Sequence, residues 1–219
     1  MTEEIWSKVD DYYAPLVAQD DALDSAVTES EKAGLPSIQV APNQGKLLHL
    51  LAKIRGAKSI LEVGTLGGYS TIWLARALPK DGKLITLEID PKHAEVAKKN
   101  IARADIHNVE VRVGKAIDSL AAMKKNHEGP FDLTFIDADK PSNLDYFLAA
   151  LEMSKPGSVI VIDNVVRAGR VTDGSSTDVN VVGVRRMRDA LAKETRVSTT
   201  VLQTVGVKGY DGLVVALVL

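Results

Sequence analysis

Ser59-Ile60-Leu61-Glu62-Val63-Gly64-Thr65-Leu66-Gly67-Gly68-Tyr69-Ser70 is the stretch that decides the fold. It reads as a short apolar strand, a glycine-rich turn and the start of a helix running from about Ser70 to Leu78. Outward from it the same rhythm recurs. Residues 83–88, 109–113, 131–136 and 159–162 are further apolar, β-branched runs, and helical stretches lie between several of them. The helix after the second run has a clear start signal, Asp90 as N-cap and Pro91 at the first helical position. Another is expected over about 143–153, after which Pro156-Gly157 turns the chain into the fifth strand. Strands buried on both sides and alternating with helices predict a doubly wound α/β sheet that is mostly parallel. The ending differs. Residues 197–205 and 213–218 are joined by Gly206 to Gly212, too short for a helical crossover, so they must form an antiparallel hairpin on one edge of a seven-stranded sheet. Toward the N-terminus, Ile5 to Asp24 reads as one polar-faced helix and Asn43 to Arg55 as a helix with one apolar face. The expectation is a single domain over 1–219, with residues 1–40 as accessory helices.

In a doubly wound sheet, ligands sit outside the carboxyl ends of the strands. Glycines in the loop after the first strand let the backbone approach a ligand and turn tightly into the helix. Their spacing lacks the G-x-G-x-x-G pattern of dinucleotide sites, which argues against an NAD-type oxidoreductase. A nucleoside without a pyrophosphate needs no helix N-terminus packed on phosphate. Glu88, at the end of the second strand, can accept hydrogen bonds from both ribose hydroxyls. The alternative is a plain turn with a solvent-facing Glu88.

Two later strands also run into acids. One is followed by Asp137-Ala138-Asp139-Lys140 and the other by Asp163-Asn164. If these strands are neighbours, Asp137, Asp163 and Asn164 offer three oxygen donors, a set suited to Mg²⁺ or Ca²⁺. Each acid taken singly reads rather as a helix cap or turn residue, and it is the set together with the glycine loop that favours a metal site. Lys140 taken alone reads as a surface lysine. The four histidines show no ligand spacing and read as surface or packing residues; Trp73 reads as core, and Arg185, Arg186 and Arg188 as a solvated helix surface. The polar loop 173–178 is a candidate flap.

The run Leu61 to Ser70 resembles the S-adenosylmethionine (SAM) motif of class I methyltransferases. Its likeness is to the cation-dependent, bacterial-type catechol and caffeoyl-CoA O-methyltransferase family, from about Val40 to the C-terminus. That resemblance implies a Rossmann-like fold in which Glu62, Gly64, Thr65 and Ser70 contact the methionine part of SAM. It further implies that Glu88 holds the ribose, Ala116 lies by the adenine and Val40 closes over the methionine end. Asp137, Asp163 and Asn164 would bind a divalent cation, usually Mg²⁺. Lys140 and Asp137 are the implied catalytic residues, Lys140 as general base, and Asp139 lies near SAM or supports the metal shell. A hydroxylated aromatic acceptor and a homodimer are also implied. Where the caffeoyl-CoA branch carries Trp and Asn, this chain has Arg167 and Ala168, so a CoA thioester preference is not carried over.

Composition agrees with a small-molecule enzyme. The net charge of −2 gives no basic field for nucleic acid, and the absence of cysteine removes disulfides, thiolate metal sites and cysteine nucleophiles. A charged N-terminus and no long apolar run predict a cytoplasmic protein without a membrane span. A second reading, a methyltransferase-like fold used only for binding, is disfavoured because the ligand and base positions are all filled.

Overall fold

The computed structural model describes residues 3–219; the first two residues of the N-terminal accessory stretch lie outside the described residues. The strands are β1 (Ser59–Val63), β2 (Lys83–Glu88), β3 (Val109–Val113), β4 (Phe131–Ile136), β5 (Ser154–Asp163), β6 (Val197–Gly206) and β7 (Gly209–Val218). They form one sheet in the order β3-β2-β1-β4-β5-β7-β6, parallel through β5, with β7 antiparallel to both neighbours. The expected doubly wound sheet with a terminal hairpin is therefore present.

Eight helices accompany it among the described residues: α1 (Glu3–Tyr13), α2 (Asp21–Lys32), α3 (Pro42–Arg55), α4 (Tyr69–Ala75), α5 (Pro91–Arg103), α6 (Ala116–Lys125), α7 (Asn143–Glu152) and α8 (Val179–Leu191). Because successive side chains of a strand point to opposite faces, the sheet carries two cores. Ile60, Leu84, Leu133, Phe135 and Val161 pack with α2 to α5 through Leu23, Leu48, Ile72 and Ile101. Leu61, Val63, Ile136, Ile160 and Ile162 pack with α6 to α8 through Leu120, Met123, Phe147 and Met187.

Three local expectations need correction. Ile5 to Asp24 is not one helix: α1 ends at Tyr13, a 3-10 turn spans Ala14–Leu16 around Pro15, and α2 starts afresh. The Asp20 side chain accepts from Leu23 N at 3.1 Å, so the acid caps a new helix instead of extending the old one. The hairpin link is also shorter than Gly206 to Gly212. Pairing continues to Gly206 opposite Gly209, leaving Val207 and Lys208 as the turn, with Gly209 taking φ +85°. Finally, Pro156-Gly157 lies inside β5 as an irregularity: Phe131 pairs with Ser154 but Leu133 with Val159. Helix α6 was not anticipated.

Strand β1 has β2 on one side and β4 on the other, so connections leave it in opposite directions. This reversal opens a crevice above the carboxyl ends of β1 and β4, the usual place for a ligand.

Candidate functional site

A cleft of about 810 Å³ lies over that crevice. The loop after β1 enters it because Gly64 is a glycine. At φ +100°, a Cβ there would lie 2.1 Å from the carbonyl oxygen of Asp137, so only a residue without a side chain lets β1 and β4 end side by side. Gly67 plays the same part against α2, where a Cβ would meet Ser30 Oγ at 2.0 Å.

Val40, Gly64, Thr65, Ser70, Glu88 and Ala116, expected from the sequence to meet the cofactor, all line this cleft, as does Asp139. Glu88 Oε2 accepts from the backbone N–H of Thr65 (3.2 Å) and Leu66 (2.7 Å), and Oε1 from that of Asp90 (2.9 Å). These bonds fix the carboxylate while leaving acceptor capacity on its cleft side. Glu62 stands behind the wall and is fully buried. Ser70 Oγ donates to its Oε1 at 2.7 Å and Thr71 Oγ1 to its Oε2, so Ser70 is the intermediary between Glu62 and the cleft. Burial pushes the Glu62 carboxyl up to about 7; the hydroxyls of Thr71, Ser70 and Thr86 oppose this and the charge of Asp137 adds to it.

At the other end, β4 and β5 are indeed neighbours, and Asp137, Lys140 and Asn164 line the cleft together. Lys140 is buried and donates from Nζ to Asp137 Oδ1 at 2.9 Å. Asp163, also buried, takes Gln44 Nε2 on Oδ2 (2.6 Å) and the backbone N–H of Asn164 on Oδ1 (2.7 Å). Burial, then the negative charge of Asp137, holds the Asp163 carboxyl well above the usual carboxylate range. Two acids forced together in a poorly solvated place, beside an amide side chain, fit a hard divalent cation, which would relieve that repulsion. Among the described residues no group of three or more His, Cys, Asp or Glu is placed to hold a metal, so a cation here would rest on two acids and an amide. Asp139 also lines the cleft. Burial raises its carboxyl, but hydrogen bonds from Ser142 and Tyr146 outweigh this and hold it below its usual value.

Some cleft residues carried no signal in the sequence. His93, read as surface or packing, lines the wall with Nδ1 3.8 Å from Glu88 Oε1. Gln44 reaches Asp163 from a position far away in the chain, and Ser30 and Asn180 lie outside the helices expected from the sequence, on α2 and at the start of α8. The loop 173–178 is tied down by Arg185, whose Nη1 donates to the carbonyls of Asp173 and Gly174. Trp73 is buried, as expected.

The chain is similar to known proteins over its whole length. Residues 16–217 match the protein-family profile described as O-methyltransferase. A protein of Niastella koreensis named catechol O-methyltransferase is 54% identical, the match covering 100% of both chains. The O-methyltransferase of Bacillus cereus solved in complex with SAH superimposes with a TM-score of 0.97 at 50% identity, covering 100% of both chains. TomG, an O-methyltransferase of Streptomyces achromogenes solved with SAM, gives 0.96 at 49% identity, covering 100% of this chain and 99% of that one.

Proposed function

The chain belongs to the O-methyltransferase family and uses SAM as methyl donor, and on that premise we propose that it methylates a hydroxyl of a small catechol-like aromatic held by a divalent cation. The observation that carries this reading is the meeting of Asp137, Asn164 and Lys140 in the cleft that the glycine loop and Glu88 also line, with Asp163 directly behind. Relatives named catechol O-methyltransferase support the acceptor class.

Glu88 holds the ribose hydroxyls, Ala116 borders the adenine, and Val40, Gly64, Thr65 and Ser70 surround the methionine end, with Glu62 acting through Ser70. Asp137, Asp163 and Asn164 are the residues that would hold Mg²⁺, which when bound stabilises the oxyanion of a neighbouring phenol and so eases its ionisation. With a cation held by Asp137, Asp163 and Asn164, Lys140 would be the basic side chain that faces the acceptor hydroxyl in the cleft. In its neutral amine form it would take the proton from that hydroxyl, becoming the ammonium. The oxygen attacks the methyl carbon in line: the O–C bond forms as the S–C bond breaks, and opposite charges cancel. The chain's main contribution is alignment of two bound reactants, which removes much of the entropic barrier. Asp139, steadied by Tyr146, borders the cofactor.

We read the chain as one domain with residues 1–40 as its accessory layer, acting as a cytoplasmic homodimer without nucleic-acid partners. No described helix is long and apolar enough to cross a membrane. Incubation with SAM and vicinal diphenols, with Mg²⁺ or with EDTA, tests the central claim by mass spectrometry. Methylated product that appears with Mg²⁺ and vanishes with EDTA supports it. Product that persists in EDTA removes the cation from the mechanism.

A further inference from the structure

The two oxygens of Asp163 are held by donors of different origin. Oδ1 accepts the backbone N–H of Asn164 at 2.7 Å, a bond between neighbours at the end of β5. Oδ2 accepts Gln44 Nε2 at 2.6 Å across 119 positions of the chain, which requires α3 to arrive in one place. Three features put it there. Pro42 stands in the first turn of α3, where its fixed φ suits a helix start. The Asn43 side chain accepts the backbone N–H of Gln44 at 2.9 Å and donates from Nδ2 to Asp10 Oδ1 at 3.0 Å. Further along, Leu48 and Ala52 of α3 are fully buried in the core. The donor so placed is neutral. A lysine or arginine there would offset the charge of Asp163 and compete with a divalent ion for it, whereas an amide fixes the carboxylate and leaves its charge. Each carboxylate oxygen can accept a further partner. Lys140, the cation lining this end of the cleft, donates to Asp137 instead.

We propose that Gln44 is a positioning residue of the cation site: it aims the Asp163 carboxylate so that this acid, Asp137 and Asn164 present their oxygens to one divalent ion. This rests on the cation reading of the site. Gln44 is not among the residues lining the cleft and acts through Asp163. Groups that orient a metal ligand set the affinity for the ion without touching it.

Gln44→Met keeps the reach of the side chain and its fitness for a helix while removing the donor. Calorimetric titration of Mg²⁺ into protein with SAH should show binding weakened by about 10- to 100-fold, with the affinity for SAH itself unchanged. Turnover of a vicinal diphenol should show the same split. The Mg²⁺ concentration for half-maximal rate rises in Gln44→Met, while kcat at saturating Mg²⁺ returns close to that of the wild type. Unaltered Mg²⁺ affinity in the variant overturns the proposal and leaves the cation reading intact. So does a parallel loss of SAH binding, which would assign Gln44 to the folding of α3 alone. A wild type that binds no Mg²⁺ and turns over equally in EDTA would instead overturn the cation reading, and the positioning role with it.

Discussion

Glu62, one residue before the end of β1, and Glu88, the last residue of β2, lie on adjacent strands, yet their surroundings assign them different work. Glu62 is fully buried, and its carboxyl is pushed from 4.5 up to about 7. Between those values the folded chain keeps a proton there that the unfolded chain has released. Its stabilising contribution is thus complete below the unfolded value and is lost as pH rises through about 7. The upper bound is about 3 kcal/mol, at about 1.4 kcal/mol per unit. Without SAM, the melting temperature of Glu62→Gln should gain on that of the wild type between about pH 5 and pH 8. A gap independent of pH would mean that the carboxyl stays ionised throughout. Glu88 instead fronts the cleft with three backbone donors on it. Glu88→Ala should weaken SAM binding about 10- to 100-fold in a calorimetric titration; unchanged affinity would refute the ribose role. Both glutamates were legible in the sequence as strand-end acids beside the glycine loop. Their division into a buried support and a cleft ligand was not, because it depends on which way each side chain faces once the sheet has formed.

At the scale of elements, α2 closes over the glycine loop through one amide. Asn100, buried on α5, donates from Nδ2 to the carbonyl of Gly67 at 2.9 Å and to that of Ala26 at 3.2 Å. Ala26 and Ser30 of α2 then form part of the cleft wall. Asn100→Ala leaves both carbonyls without this donor and should cost about 1–3 kcal/mol. Amide hydrogen exchange over residues 21–32 should quicken, and SAM should bind more weakly. Exchange confined to wild-type rates would show that packing of Leu23 and Ala26 alone secures α2. The start of α5 at Asp90-Pro91 could be read from sequence, since capping is local. The break between α1 and α2 escaped because Pro15 and Asp20 fall within one continuous polar-faced pattern. The final hairpin was recognisable from its short link, but its exact turn waited on the pairing of Gly206 with Gly209.

For the whole molecule, the sheet order divides the cleft into two ends with separable tasks. SAM, by binding the folded chain alone, should raise its melting temperature, by an amount equivalent to about 2.7 kcal/mol when present at a hundred times its dissociation constant. Asp163→Asn should keep that rise while losing Mg²⁺-dependent turnover, since Asp163 belongs to β5 at the acceptor end and Glu62 and Glu88 belong to β1 and β2. Equal loss of SAM stabilisation in the variant would show that the two ends are not independent.

The sequence by itself determined the alternation of strand and helix, the glycine loop, the acids at the strand ends and the closing hairpin. Those features depend on period, capping and turn chemistry, which act over a few neighbouring residues. Only the tertiary structure decided that β7 inserts between β5 and β6, that Gln44 reaches Asp163 and that His93 enters the cleft wall. Each of these depends on strand order and on the direction of side chains from separate elements. No local pattern encodes either, because they are settled when the two faces of the sheet are buried together.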